Sequence, residues 1–316
     1  MSEILRLSPV FKDYLWGGTL LKEKYAVEDM EKVAEAWVLS THKDGQSIVD
    51  SGSLKGKTLN QAIEILGEQA LGKNALSFEM FPQMIKLIDA ADSLSIQVHP
   101  SDDYALKNEG QYGKTEMWYI LDAKEGAGIY YGVKKEVSKE ELEAALVNGN
   151  IDDVLRFVPV KAGESYFIPS GTVHAIGKGL LIAEVQQNSN VTYRVYDYGR
   201  VGADGKPREL HTEKALAVST LTPMAEEKEK TAENIFGGTK TLLSECPYFR
   251  TTKLVLNGEY TFKPENSFVC VLITKGSGSI NGENFGMYDT FFVPANIGSV
   301  TLSGDFEALI SDCPGR

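Results

Sequence analysis

Short apolar runs, most of about four to eight residues and closed off by Gly, Pro, Asp or Asn, recur along this chain and leave room for little but a strand-rich fold. They fall at 36–39, 83–88, 94–98, 117–121, 166–168, 180–185, 253–256, 268–273 and 289–293. Helical signals are few. Thr58 with Gln61 opens one helix, and Ser138 with Glu141 opens another as a capping box before Leu142, Ala145 and Leu146. Short helices are also expected after Ser101 and after Thr212. The stretch 225–233, AEEKEKTAE, is polar and poor in apolar residues, and reads as a linker or solvated segment that places a domain boundary near residue 235.

With 316 residues the chain can bury a real core, and its length suits about two domains. Its formal charge of −12 repels phosphate backbones and anionic lipid, so neither nucleic acid nor a membrane surface is an expected partner. An anionic ligand must be drawn by a local basic cluster. The first residues mix charges into every turn and offer no apolar core of a signal peptide, and no run of about 18 apolar residues occurs, so a cytoplasmic location is expected. Cys246, Cys270 and Cys313 form no C-x-x-C pair and read as reduced bystanders.

Two short windows echo each other. Glu164-Ser-Tyr-Phe-Ile-Pro169 and Asp289-Thr-Phe-Phe-Val-Pro294 each run acid, hydroxyl, three apolar strand residues, proline. If the echo is a repeat, the chain holds two related β units, of which only the first carries a histidine shortly after its proline.

The chemistry concentrates around few residues. In Leu94-Ser-Ile-Gln-Val-His-Pro100, strand alternation puts Gln97 and His99 on one face, about 6 to 7 Å apart along the backbone, from where both reach one metal ion. A histidine merely ending a strand before proline is the plainer alternative. The segment 111–121 reads as a strand with Lys114, Glu116 and Trp118 on one face; a lysine beside a glutamate is by default a solvated ion pair, but Trp118 on that face suggests a cavity wall. The spacing Gly163-x5-Pro169-x-Gly171-x2-His174 sets a tight turn that aims His174 inward. Gln97, His99, Glu116 and His174 together make an N/O donor set suited to zinc, with a net charge of about +1 once a dication is added. Glu184 and Arg194 lie in further strand-like runs. Each is either a surface charge or, with Lys114 and Lys86, part of a basic cluster for an anion.

The Pro-x-Gly-x-x-His spacing resembles the second motif of the cupin superfamily. Over nearly its whole length the chain resembles the short bacterial type I mannose-6-phosphate isomerases of that superfamily. The resemblance rests on Tyr14-Leu-Trp-Gly-Gly18, Glu35-Ala-Trp37, Phe81-Pro82, Lys86-Leu-Ile-Asp-Ala90, the Gln-x-His-Pro run ending at Pro100, Gly113-Lys-Thr-Glu-Met117, Ile168-Pro-Ser-Gly-Thr-Val-His-Ala175, Glu184 and Arg194. It implies a mainly β fold of two cupin-like jelly-roll β-barrels, with a few short helices inserted in the N-terminal part. Residues 1–235 would form the catalytic cupin domain and 236–316 a metal-free cupin-like β domain. It implies one zinc ion on Gln97, His99, Glu116 and His174, with Arg194 catalytic. Glu184 is the first choice of base and Lys114 the second, and Lys86, Ser95 and Trp16 are candidate substrate contacts. The implied reaction interconverts mannose 6-phosphate and fructose 6-phosphate through a cis-enediol.

Departures from a generic cupin are Gln97 in place of a first-motif histidine, the insert 101–110, and the lack of an Asn at the usual interval after His174. Two other function classes remain open at this point: a cupin that senses a sugar phosphate without turnover, and a metal-dependent oxygenase, which a fourth ligand such as Gln97 disfavours. His42 and His211 sit in no comparable motif and read as surface or structural histidines. The sequence leaves the oligomeric state open.

Overall fold

The computed structural model describes residues 3–202, 205–227 and 229–315. It is mainly β, with short helices. Both capping boxes form: the Thr58 and Ser138 side chains accept the amides of Gln61 and Glu141, opening helices Leu59–Leu66 and Lys139–Asn148. The helix expected after Ser101 forms as Asp102–Asn108, and the one expected after Thr212 begins at that residue, as Thr212–Val218. No helix among the described residues is long and apolar enough to cross a membrane. All three cysteines are free thiols, and burial holds each above the ordinary thiol range.

The chain divides into two compact units that are interleaved in sequence. One takes Met1–Val10, Trp37–Lys86 and Lys228–Arg316; the other takes Phe11–Ala36 and Leu87–Glu227. The polar stretch near 230 therefore does not mark a linear division. Residues 236–316 belong wholly to the first unit, but their sheet is completed by N-terminal strands: Leu5–Ser8 pairs antiparallel with Thr290–Val293 on one side and with Ile48–Val49 on the other. Even the supposed linker is partly structured, since Ala232–Ile235 forms an outer strand against Gly238–Glu245; Lys228, within that stretch, lies outside the described residues.

The first unit carries a nine-stranded sheet whose centre is built from the long strands Arg250–Phe262, Val269–Ile280 and Val300–Asp312. Leu254, Val271, Phe291 and Phe306 lie in its core. The remaining strands form two further sheets. One runs in the order Tyr193–Tyr196, Ile96–Val98, His174–Ile176, Gly128–Val133, Leu155–Pro159. The other begins Ser165–Ile168, Glu116–Ala123, Leu180–Gln187 and continues through Gln83–Ala90, Glu35–Leu39 and Val10–Lys12. Their apolar faces supply two clusters, one around Trp118, Ile120 and Ile182 and one around Val98, Leu142 and Tyr193.

The two echoing windows fold alike. Glu164 Oε2 accepts the amide of Lys161, and Asp289 Oδ2 accepts that of Gly286. The residue before each acid is left-handed, Gly163 at φ 94° and Tyr288 at φ 71°. Gly163 N donates to Ile120 O and Tyr288 N to Ile273 O. After each proline the chain turns through a second left-handed residue, Gly171 at φ 88° and Asn296 at φ 60°. Their amides donate to His99 O and Pro264 O. Two corners of the same design thus occur in one chain, one in each unit, and the residues at their equivalent positions can be compared directly.

Candidate metal centre and its pocket

The strand registers bring the candidate ligands together. His174 is directly opposite Gln97, and Arg194 is opposite Gln97 on its other side. On the neighbouring sheet Glu184 faces Trp118 and Gln186 faces Glu116. Residues paired across an antiparallel ladder point to the same face. Each sheet therefore presents a row of polar side chains on one side.

One donor atom each from His99, Glu116 and His174 lies within 4.8 Å of the others, and all three residues are buried. His174 Nε2 is 3.3 Å from Glu116 Oε1, and His99 Nε2 is 3.6 Å from Glu116 Oε2. Both imidazoles engage backbone carbonyls through Nδ1, His99 to Val191 O and His174 to Thr172 O, each at 2.8 Å. A carbonyl only accepts, so Nδ1 carries the hydrogen in both rings, and both Nε2 lone pairs turn toward the Glu116 carboxylate. Two imidazole lone pairs converging on a buried carboxylate are an arrangement that a divalent cation satisfies, and such carbonyl contacts are the usual way a ligating histidine is oriented. The amide end of Gln97 lies beside these three, its Nε2 3.4 Å from His174 Nε2; a half-turn of the amide would present the oxygen that a metal prefers. With two nitrogens, a carboxylate and an amide, the donor set fits a borderline or hard dication.

The electrostatics agree. The His174 imidazole is pushed down to about 4, chiefly by burial, with the Lys114 charge adding to the effect; the Thr172 carbonyl and Glu184 pull the other way. It is neutral at pH 7, as a ligand must be.

Lys114 does not lie on the strand expected at 111–121. That strand starts at Glu116, because the three preceding amides are used elsewhere: Gly113 N donates to Asp102 Oδ1, Lys114 N to Pro100 O and Thr115 N to the Gln187 side-chain oxygen. Gly113 is also fixed by space, since a Cβ there would stand 2.4 Å from the Ser101 carbonyl carbon. The Lys114 ammonium nevertheless reaches Glu116 Oε2 at 2.8 Å and Glu184 Oε1 at 3.4 Å. Burial works against its charge, but Glu116 and Glu184 outweigh burial and hold it above the ordinary lysine value. A depressed Lys114, the reason for considering it as a base, is thus not what this environment produces. The other Glu184 oxygen accepts Trp118 Nε1 at 2.9 Å, so both ends of that carboxylate are oriented.

Arg194 is half-buried. Its Nη1 donates to Glu209 O, its backbone is held in both directions by His211, and its Nε is buried with no hydrogen-bond partner among the described residues. Burial, then the neighbouring Arg208, lowers its pKa from the usual arginine value. Of the two histidines read as surface or structural, His211 is the backbone clamp on Arg194 and His42 is buried edge-on against Trp37.

Of the candidate substrate contacts, Ser95 is buried two residues before Gln97. Trp16 is buried in the apolar cluster with Trp118 and stacks at a tilt on Tyr14. Lys86 is buried with its ammonium 4.9 Å from the Trp37 ring centre, in the first unit.

The sequence reading missed Asp197, Arg200 and Arg208. Asp197 accepts from both arginines at 2.6 Å, which outweighs its burial and holds it below the usual carboxylate range. Val201 bridges to Pro207, bringing the two arginines side by side. The Gly-rich run around 199–205 was the available sign of that hairpin, although residues 203 and 204 lie outside the described residues.

Residues 4–142 match the family model for the phosphomannose isomerase type I catalytic domain. The chain is 39% identical, over 98% of its length and 99% of the relative's, to the mannose-6-phosphate isomerase ManA of Bacillus subtilis. It is 37% identical to a mannose-6-phosphate isomerase of Streptococcus mutans over 98% of each chain. The crystal structure of the Bacillus subtilis mannose 6-phosphate isomerase superposes with a TM-score of 0.89 at 38% identity, covering 98% of this chain and 99% of that one. The apo mannose 6-phosphate isomerase of Salmonella typhimurium, at 17% identity and a TM-score of 0.76 over 99% and 100% of the two chains, shares the fold.

Proposed function

Because the chain belongs to the type I mannose-6-phosphate isomerase family, we propose that it is a zinc-dependent aldose-ketose isomerase of the cytoplasm, interconverting mannose 6-phosphate and fructose 6-phosphate through a cis-enediol. The observation that carries this reading is the convergence of His99, Glu116 and His174 within 4.8 Å, with both histidines fixed to present Nε2. One zinc ion would be held by these three and Gln97. When bound, it supplies Lewis-acid polarisation of the substrate carbonyl and positive charge beside the developing oxyanion.

The chain's own groups supply the rest. Glu184 is the base. It takes the proton from C2 of the open-chain aldose, the C–H electron pair forms the C1–C2 double bond, and O1 takes up charge and then a proton. Return of the carboxyl proton to C1, with loss of the O2 proton, gives the ketose. A positioned base contributes about 10²- to 10⁴-fold. Trp118 Nε1 and the Lys114 ammonium hold Glu184 in place. As an ammonium, Lys114 acts by donating to the substrate's O1 or O2 rather than by removing a proton.

Arg194, opposite Gln97 with its buried Nε–H lacking an acceptor among the described residues, donates to a ring or hydroxyl oxygen as the sugar opens. Arg200 and Arg208 both donate to Asp197 and, with Arg194, bring three guanidinium groups together where the substrate phosphate would be received. Ser95, Trp16 and Lys86 remain proposed substrate contacts. Three free thiols suit a reducing compartment.

The test is a coupled assay for conversion of mannose 6-phosphate to fructose 6-phosphate, before and after chelation and with zinc restored. Turnover that vanishes with chelator and returns with zinc is expected. A protein that keeps stoichiometric metal without turnover would instead be a sugar-phosphate sensor.

A further inference from the structure

The repeated corner locates a second site. In the second unit the metal set is reached by four positions: the residue whose carbonyl accepts the left-handed Gly171 amide, which is His99; the residue two before it, Gln97; the residue opposite the last strand residue of the echo, Glu116 opposite Ile168; and the residue across the ladder from Gln97, His174. Applied to the first unit, the same relations give Pro264, Phe262, Val269 opposite Val293, and Val300 opposite Phe262. None of these four side chains offers a metal donor. Val300 packs into the core of this unit. Phe262, Pro264 and Val269 line a cavity of about 900 Å³ in this unit, large for a small-molecule site.

The lining states what fits. Tyr260 and Phe262 line the cavity with nearly parallel rings, 6.1 Å between centres and 24° apart. Around it stand planar hydrogen-bonding groups: Glu245, Asn266, and the Arg250 guanidinium held 2.5 Å from Asp312. Among the described residues, three basic and four acidic side chains line the cavity. Four carboxylates disfavour a phosphate, and so many charged groups disfavour an apolar ligand, which would desolvate them without compensation. Aromatic faces beside carboxylate, guanidinium and amide edges suit a ligand with apolar C–H faces and a rim of hydroxyls. We propose that this cavity, the metal-free counterpart of the isomerase centre, binds an uncharged saccharide, with Tyr260 as the stacking platform and Glu245 and the Arg250–Asp312 pair as hydroxyl partners. The room available accepts more than a single hexose.

The test uses the full-length metal-loaded enzyme and three neutral probes, D-mannose, D-glucose and cellobiose, followed by saturation-transfer NMR with excess fructose 6-phosphate present to cover the isomerase centre. Saturable binding of at least one probe is expected, weakened more than tenfold by Tyr260→Ala. Leu242→Trp, which adds bulk at a half-exposed lining residue and removes no hydrogen bond, is expected to do the same. Both variants keep the isomerase turnover of the parent. The proposal is overturned if no probe saturates, if fructose 6-phosphate abolishes the signal, if Leu242→Trp leaves binding unchanged, or if inorganic phosphate binds the cavity more tightly than every neutral probe.

Discussion

Lys114 Nζ lies 2.8 Å from Glu116 Oε2, with both side chains buried, so the carboxylate of the candidate metal centre is also half of a buried ion pair. The same ammonium stands 3.4 Å from Glu184. In Lys114→Met two buried carboxylates lose their shared cation. Removing one partner of a buried pair costs about 3–5 kcal/mol. A bound dication replaces part of the missing charge, so the loss is expected to be larger in chelated than in metal-loaded protein. Denaturant midpoints of both forms check this; equal losses would mean that the lysine acts by packing alone.

The His174 imidazole, held at about 4 by burial, sets a pH dependence. In the unfolded chain a histidine titrates near 6.5. Below that pH the unfolded state takes up a proton that the folded state refuses. The stability is therefore fully present above about 6.5 and is lost as pH falls toward 4. Between pH 7 and pH 5 this amounts to about 2 kcal/mol. Chelated protein unfolded in denaturant at the two pH values is expected to show it, and His174→Gln to show a shallower slope. Identical slopes would remove His174 from the account.

Glu116→Gln removes the only negative charge among the candidate ligands but keeps the shape. Even partners that only orient a ligand cost about 10- to 100-fold in metal affinity. The loss here is expected to reach that range or exceed it, with metal content after dialysis dropping below stoichiometry and turnover falling with it. A variant retaining full metal would place the ion elsewhere.

What the sequence made legible was local. The capping boxes at Thr58 and Ser138 need only residues three apart, and both form as read. Gln97, His99 and His174 were visible because strand alternation and a Pro-Gly turn fix where such side chains point. Lys114 was placed on a strand that begins two residues later, because its amide goes to Pro100 and its neighbours' amides go to side chains at 102 and 187. No window of sequence contains those partners. The interleaving of the two units escaped for the same reason: Leu7 pairs with Thr290, and nothing near Leu7 announces it. Asp197 with Arg200 and Arg208 resembles any surface charge cluster until the bridge between Val201 and Pro207 folds it together.

Gln187 and Asp102 are expected to act as positioning residues for Lys114. Gln187 Oε1 accepts the Thr115 amide and its Nε2 donates to Asp102 Oδ1, which also accepts the Gly113 amide. The backbone on both sides of Lys114 is thus held by one side-chain pair. Gln187→Glu sets a second carboxylate against Asp102 and removes the donor between them, so the segment loses its anchor. Asp102→Asn keeps an oxygen for both amide donors and is expected to be nearly silent. Displacing a catalytic group by about 1 Å costs on the order of 10²-fold. Gln187→Glu is therefore expected to lower kcat by roughly that factor, with metal content unchanged because no ligand is touched. Loss of metal in step with activity would mean that the pair supports Glu116 instead, and equal activity in both variants would show that Lys114 needs no such support.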